Sequence, residues 1–205
     1  MANYFITGIG TNVGKTIVAA ILTEALQADY WKPIQTGYLE GADKNTVMRL
    51  ISNFKTVFHN EIYSYKEPAS PHIAAALENS NVVINKIALP LTQNNLIIEG
   101  AGGILVPLNN TDFVIDIAKK LEAKIVLVCR NYLGCINHSL LSIDYLVKNG
   151  FNVKGLILNG SFDSAVKSAI VNYAKLPVIA ELPDLTVITK ETILAQAQNV
   201  DLSLF

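Results

Sequence analysis

Glycine, lysine and threonine stand together in Gly8-Ile-Gly-Thr-Asn-Val-Gly-Lys-Thr16, a segment that follows the apolar run Tyr4-Phe-Ile-Thr7 and precedes Ile-Val-Ala-Ala-Ile-Leu. That order predicts a strand running through a glycine-rich loop into a helix. Such a loop turns its N–H groups inward and the helix start adds partial positive charge. Lys15 can reach the outer phosphates of a nucleotide and the Thr16 hydroxyl can ligate Mg²⁺. The chemistry is nucleoside triphosphate binding. The commonest spacing, G-x-x-x-x-G-K-[ST], would put its first glycine where this chain has Ile9. The loop is one residue longer, and Gly8 or Gly10 is expected to make the turn. A glycine-rich turn with a surface lysine is the plainer alternative, and Gly-Lys-Thr between strand and helix argues against it.

Further candidates lie just after other apolar runs. Lys32-Pro-Ile-Gln-Thr-Gly37 leaves Lys32 and Thr36 at a strand end, where a second lysine suits an anionic acceptor. Asp43 opens a predicted helix and is either a helix cap or a Mg²⁺ ligand. In Asn95-Leu-Ile-Ile-Glu-Gly-Ala-Gly-Gly103 a buried strand ends in Glu99. A carboxylate is costly to bury unless it is paired or holds a metal, which reads as a Mg²⁺ ligand beside the phosphates; a solvent-facing edge glutamate is the alternative. Leu133-Gly-Cys-Ile-Asn-His-Ser139 starts a helix whose free N–H groups can receive a carboxylate or phosphate, unless Asn137 or Ser139 merely caps it. His59, His72 and His138 read as hydrogen-bonded structural groups. Asn159-Gly160 is a turn dipeptide or places a base-reading amide.

Elements to position these groups follow from the apolar pattern. Strands are predicted over Tyr4–Thr7, a short run ending near Lys32, Leu96–Glu99, Ile125–Cys129, Val153–Leu158 and Val178–Ala180. Helices are predicted over Lys15–Leu26, Thr46–Ser52, His72–Leu77, Phe113–Leu121, Ile136–Lys148 and Ala165–Ala174, and a last, moderately amphipathic one from Thr189. The alternation predicts an α/β, doubly wound, mostly parallel sheet with helices on both faces, whose ligands collect at the carboxyl ends of the strands. With 205 residues, 51% of them hydrophobic and 16% charged, one domain over 1–205 with a large buried core is expected. A net charge of −1 and the absence of like-charge runs argue against nucleic acid or anionic lipid as partners. Apolar runs fall short of the roughly 18 residues of a membrane span, and no basic leader precedes the first strand, so a cytoplasmic protein is expected. Cys129 and Cys135 match neither a redox pair nor a zinc half-site.

Taken in order, the motifs at 8–16 and 32–37, Ser-Pro-His-Ile-Ala-Ala (70–75), Glu-Gly-Ala-Gly-Gly-Ile-Leu-Val-Pro (99–107), Leu-Gly-Cys-Ile-Asn-His (133–138) and the segments at Asn159 and Pro183 resemble the dethiobiotin synthetase family over nearly the whole chain. The resemblance implies a single-domain P-loop NTPase fold and a homodimer with composite active sites. It implies an ATP- and Mg²⁺-dependent enzyme of biotin synthesis, which closes the ureido ring of dethiobiotin on 7,8-diaminononanoate and CO₂. One amine captures CO₂ as a carbamate, the carbamate oxygen takes the γ-phosphoryl group, and the second amine attacks the mixed anhydride. Carried onto this chain, the nucleotide contacts are Asn12, Val13, Gly14, Lys15, Thr16, Ile17, Asp43, Glu99, Gly100, Ala101, Gly102, Asn159 and Pro183. The Mg²⁺ ligands are Thr16, Asp43 and Glu99. Lys15, Lys32 and Thr11 are catalytic, and Lys32, Thr36, Gly134, Cys135, Ile136 and Asn137 hold the diamine substrate or its carbamate. Gly10 and Asn12 depart from the family, many members of which carry acidic residues there.

Two other function classes compete. A ParA/MinD-like ATPase switch would carry a further lysine early in the loop and a basic or amphipathic docking surface, and the chain shows neither. A small-metabolite kinase would bring several arginines to the phosphates, whereas Arg49 and Arg130 are the only ones. A guanine-reading Asn-Lys-x-Asp is also missing.

Overall fold

The computed structural model describes all 205 residues. Its strands are β1 (Asn3–Gly8), β2 (Asp29–Trp31), β3 (Ile34–Thr36), β4 (Tyr63–Tyr65), β5 (Leu96–Gly103), β6 (Lys124–Arg130), β7 (Val153–Asn159) and β8 (Val178–Leu182). Six of them form one parallel sheet in the order β2-β5-β1-β6-β7-β8, and β3 and β4 pair separately. The helices are α1 (Lys15–Leu26), α2 (Asp43–Leu50), α3 (Pro71–Leu77), α4 (Asp116–Lys120), α5 (Cys135–Lys148), α6 (Ser164–Ala174) and α7 (Lys190–Ala197).

The sheet is doubly wound because its strands are apolar on both faces. Phe5, Leu96, Ile98, Ile125, Leu127, Leu156 and Leu158 point into one core, which they share with residues of α3 to α6. Their neighbours Tyr4, Ile6, Ile97, Val126, Val128 and Ile157 point into the other, with α1, α2 and α7. The segment at 57–59 lies along the outer edge of β2, where Tyr30 N–H donates to the Val57 carbonyl at 3.0 Å and His59 N–H to the Tyr30 carbonyl at 2.9 Å. At the opposite edge, Asp201 N–H donates to Ile179 of β8 at 3.0 Å.

Three element boundaries differ from the pattern-based reading. β5 continues past Glu99 to Gly103, and its pairing with β1 steps from Ile6↔Glu99 to Gly8↔Gly103, so β5 spends four residues where β1 spends two. Glycine permits this close passage: a Cβ on Gly100 would lie 2.9 Å from Phe5 Cζ. α2 begins at Asp43, the residue read as opening a helix and three before the periodic run from Thr46, where the Gln35 side chain accepts the Asp43 N–H at 3.0 Å. α4 begins only at Asp116, because Phe113 is held in a bridge to Pro107 and donates its N–H to the Asp116 carboxylate at 2.8 Å. The β3–β4 pair was not expected; three residues are too few to show an alternation.

One clamp ties the helix after the phosphate loop to the helix that carries Asp43. Glu24 on α1 accepts from Ser52 N at 2.7 Å, Ser52 Oγ at 2.6 Å, and Asn53 N and Nδ2 at 3.2 Å, just beyond the end of α2. Burial alone would raise this carboxyl, but the bonds from Ser52 and Asn53 outweigh it and hold it below its ordinary value. A depressed carboxyl adds stability above its unfolded pKa and loses it as pH falls through the folded one. Glu24→Gln is therefore expected to cost about 2 kcal/mol at neutral pH, with the deficit closing in acid, in denaturant titrations of both proteins. An equal deficit at both pH values would contradict the assignment.

Candidate active site

Between β1 and α1 the chain makes a loop whose left-handed residues are Asn12, at φ 58°, and Gly14, at φ 89°. Neither Gly8 nor Gly10 takes a positive φ, so the expected turn at one of them is corrected to Asn12 and Gly14. Gly8 is required for closeness instead, because a Cβ there would overlap Val13 Cγ2, whereas Gly10 has open space. No backbone N–H from Gly10 through Ile17 has an acceptor within the chain. A run of unpaired donors around a helix start is an anion cradle. Thr11 and Asn12 are exposed on its crest, and Lys15 folds back to the Gly10 carbonyl at 3.0 Å.

Beside this loop, four side chains from four segments meet. Lys32 follows β2 directly, and its ammonium contacts the Asp43 carboxylate and, at 3.1 Å, Glu99 Oε1. Thr16 Oγ1 lies 3.1 Å from Asp43 Oδ1 and 2.8 Å from Glu99 Oε1. Glu99 is 1% exposed, which removes the solvent-facing alternative. Asp43 is the first residue of α2 rather than its cap, and its side chain faces the cluster. Burial by itself would lower the Lys32 pKa, but the Glu99 and Asp43 charges outweigh it and hold the ammonium above its ordinary value. Lys15 lacks so close a partner: burial pushes it down to about 8, against the raising effect of Glu99 and with a further lowering by Lys32.

Asp43 and Glu99 already hold a cation, the Lys32 ammonium, between hard oxygens, and the Thr16 hydroxyl adjoins both carboxylates. Mg²⁺ takes one or two carboxylates, phosphate oxygens and water, so a hydroxyl and two carboxylates next to the anion cradle fit that ion.

Two residues that the sequence reading did not single out complete the cluster. The Tyr30 hydroxyl donates to Glu99 Oε2 at 2.7 Å, and burial together with the Glu99 charge keeps that phenol protonated. Tyr30 lies two residues before Lys32, and a strand's period of two places such residues on one face; that was the available signal. Gln35, which positions Asp43 through its backbone, carried none.

Other sequence candidates are placed around this centre. Gly100, Ala101 and Gly102 carry β5 past the loop, and Gly103 passes it closely enough that a Cβ there would meet Gly10 Cα at 3.4 Å. Thr36 ends β3, next to the Lys32 segment. Asn159 is buried at the end of β7, and its amide nitrogen donates to the Val13 carbonyl at 2.8 Å. One of the two amide hydrogens is committed to the loop, which leaves the second and the amide oxygen to face a ligand. Pro183 is exposed after β8, beside Asp184, which binds Arg130 Nη2 at 2.5 Å and the Ser161 N–H at 3.0 Å. At the start of α5, Gly134 is left-handed at φ 98°, and Cys135 is buried with its N–H donated to the Tyr132 carbonyl at 2.9 Å. Cys135 is thus corrected as a free donor; the N–H groups of Ile136 and Asn137 are the unpaired ones. His72 bonds the Pro107 carbonyl and His138 the Tyr132 hydroxyl, as structural groups do.

The family model described as an AAA domain matches residues 2–192. The chain is 46% identical over 198 residues to an ATP-dependent dethiobiotin synthetase BioD of Cytophaga hutchinsonii, covering 96% of each protein. It is 45% identical over 182 residues to a protein of the same name from Christiangramia forsetii, covering 89% of this chain and 87% of that one. Among solved structures it is similar to the septum site-determining protein MinD of Pyrococcus horikoshii complexed with Mg-ADP, with a TM-score of 0.58 and 16% identity over 95% of this chain and 86% of that one. That likeness shows a shared P-loop fold only, whereas the high identity to the synthetases covers loop, strand ends and helix starts together. The chain belongs to the ATP-dependent dethiobiotin synthetase family.

Proposed function

We propose that the chain forms dethiobiotin from 7,8-diaminononanoate, CO₂ and ATP, closing the ureido ring in biotin synthesis. The observation that carries this reading is the Lys32 ammonium, held by Asp43 and Glu99 beside the phosphate loop, as a second cation next to Lys15. Transfer of a phosphoryl group to an anionic acceptor needs such a charge. The loop N–H groups and Lys15 hold the triphosphate, and Asn159 and Pro183 stand on the side of the base. Thr16, Asp43 and Glu99 hold Mg²⁺, which when bound offsets phosphate charge. Thr11, Thr36 and Lys32 hold the carbamate formed when one amine captures CO₂. The carbamate oxygen takes the γ-phosphoryl group, and the second amine then displaces phosphate to close the ring. Dependence on ATP and small-molecule substrates supports the cytoplasm as the place of this work.

The substrate carboxylate is assigned to the partner subunit's Ile136 and the partner subunit's Asn137, whose N–H groups do the work of a guanidinium in a chain with only two arginines. Supporting this, Leu133 and Leu141 expose apolar surface on the same turn and helix, suited to a second copy in a homodimer.

Product analysis with ATP, bicarbonate and the diamine is expected to yield dethiobiotin, and Lys32→Ala to lower kcat by about 10²–10³-fold with ATP affinity little changed. Wild-type turnover by a folded Lys32→Ala protein would reject the catalytic role. Lys15→Met, in contrast, is expected to lose triphosphate binding. It should also stabilise the ligand-free fold by on the order of 3 kcal/mol at neutral pH, because a buried lysine whose pKa is depressed to about 8 is costly while charged. The unfolded chain binds the extra proton between about 8 and 10.5, so the advantage must shrink over that range in pH-dependent unfolding. A Lys15→Met protein less stable than wild type at neutral pH would contradict the burial cost. Finally, Ile136→Pro removes one unpaired N–H in the first turn of α5, where proline is tolerated. The diamine KM is expected to rise with the ATP KM unchanged; an unaltered diamine KM in a protein that still dimerises, or full activity in a monomer, rejects the composite site.

A further inference from the structure

We infer that Tyr30 is a positioning residue that fixes Glu99 as a one-oxygen ligand, with its second oxygen turned permanently away from the metal position. This rests on the metal role proposed for Glu99 above. β2 pairs with β5 in the register Tyr30↔Ile97 and Trp31↔Ile98, which sets Tyr30 diagonally across from Glu99. The Tyr30 ring is fully buried and packs on Phe58 with 5.9 Å between centroids, so it has little freedom to turn. Its hydroxyl is the sole donor to Glu99 Oε2, at 2.7 Å, while Oε1 takes Thr16 and Lys32 at 2.8 and 3.1 Å.

A glutamate's terminal torsion is broad and two-fold, so by itself Glu99 could offer either oxygen, or both, to a cation. Mg²⁺ tolerates little departure from octahedral geometry, and a carboxylate that wanders between one-oxygen and two-oxygen binding serves it poorly. The phenol removes that choice. It does so without adding charge, so the sum of two carboxylates and two lysines around the phosphates is left as it is.

The test is metal binding rather than turnover. Mn²⁺, read by electron paramagnetic resonance, is titrated into wild type and Tyr30→Phe in the presence of a non-hydrolysable ATP analogue, and analogue binding is measured separately in EDTA. Tyr30→Phe is expected to weaken Mn²⁺ at least about tenfold, the range found when a partner of a metal ligand is removed, with analogue binding in EDTA unchanged. Unchanged Mn²⁺ affinity, or an equal loss in EDTA, would overturn the role. A second comparison asks whether Tyr30 acts through Glu99. Glu99→Gln and the double variant Tyr30→Phe/Glu99→Gln are expected to bind Mn²⁺ equally weakly, and a further loss in the double variant would show that Tyr30 does not act through Glu99. A wild type that binds Mn²⁺ and the analogue yet makes no dethiobiotin sinks the proposed reaction and leaves this inference standing. A wild type that makes dethiobiotin while Tyr30→Phe keeps its Mn²⁺ affinity does the reverse.

Discussion

The contact on which the rest depends is the buried bond between the Lys32 ammonium and the two carboxylates of Asp43 and Glu99. Taking such ions out of water costs several kcal/mol each, and their attraction recovers this only where geometry is good and remaining lone pairs are met. Here the conditions are satisfied one by one: Thr16 reaches both acids, Tyr30 takes the far oxygen of Glu99, and Gln35 fixes the backbone of Asp43. With Lys15 included, the group is two cations and two anions, neutral as a whole. Its worth to stability is small, and its effect is to keep charge of both signs at a set place on the margin of the buried core.

That place is set by the sheet. Lys32 and the phosphate loop follow the carboxyl ends of β2 and β1, and parallel pairing holds Glu99, within β5 between them, opposite Ile6 at the same level. The bulge in β5 brings Gly103 alongside the loop, and the Asn159 amide, at the end of β7 two strands away on the other side, braces Val13. The loop is thus shaped from both flanks before any anion arrives, which is the meaning of preorganisation at a phosphate site.

Groups whose chemistry is carried by short local patterns were legible in the sequence. Lys15 and Thr16 sit between an apolar run and a helical one, and the structure leaves both where that pattern puts them, whereas Glu99, read as closing its strand, lies inside β5 four residues before its end. Groups defined by distant partners were not. Tyr30 finds its acceptor 69 residues away, Glu24 its donors 28 residues away, and Asn159 bonds a carbonyl 146 residues away. A lone tyrosine, glutamate or asparagine carries no mark of such a contact. Cys135 shows the same limit from the other direction: a helix start has free N–H groups in general, but the local fold decided which of them Tyr132 would take.

The segment at 57–59 along β2, with the bond from Asp201 to β8, bears on how copies of this chain can associate. An open strand at a sheet margin offers a ladder of unpaired groups to any passing chain, and is a route to aggregation and to dimers built by continuing the sheet. Here one margin is only three residues long and has its middle residue bonded on both sides of the peptide, while the other has lost an acceptor at Ile179. Neither rim is left as an uninterrupted template. Orderly self-association must then be made by helices and loops, whose side chains select a partner by shape, rather than by backbone, which any extended chain can match.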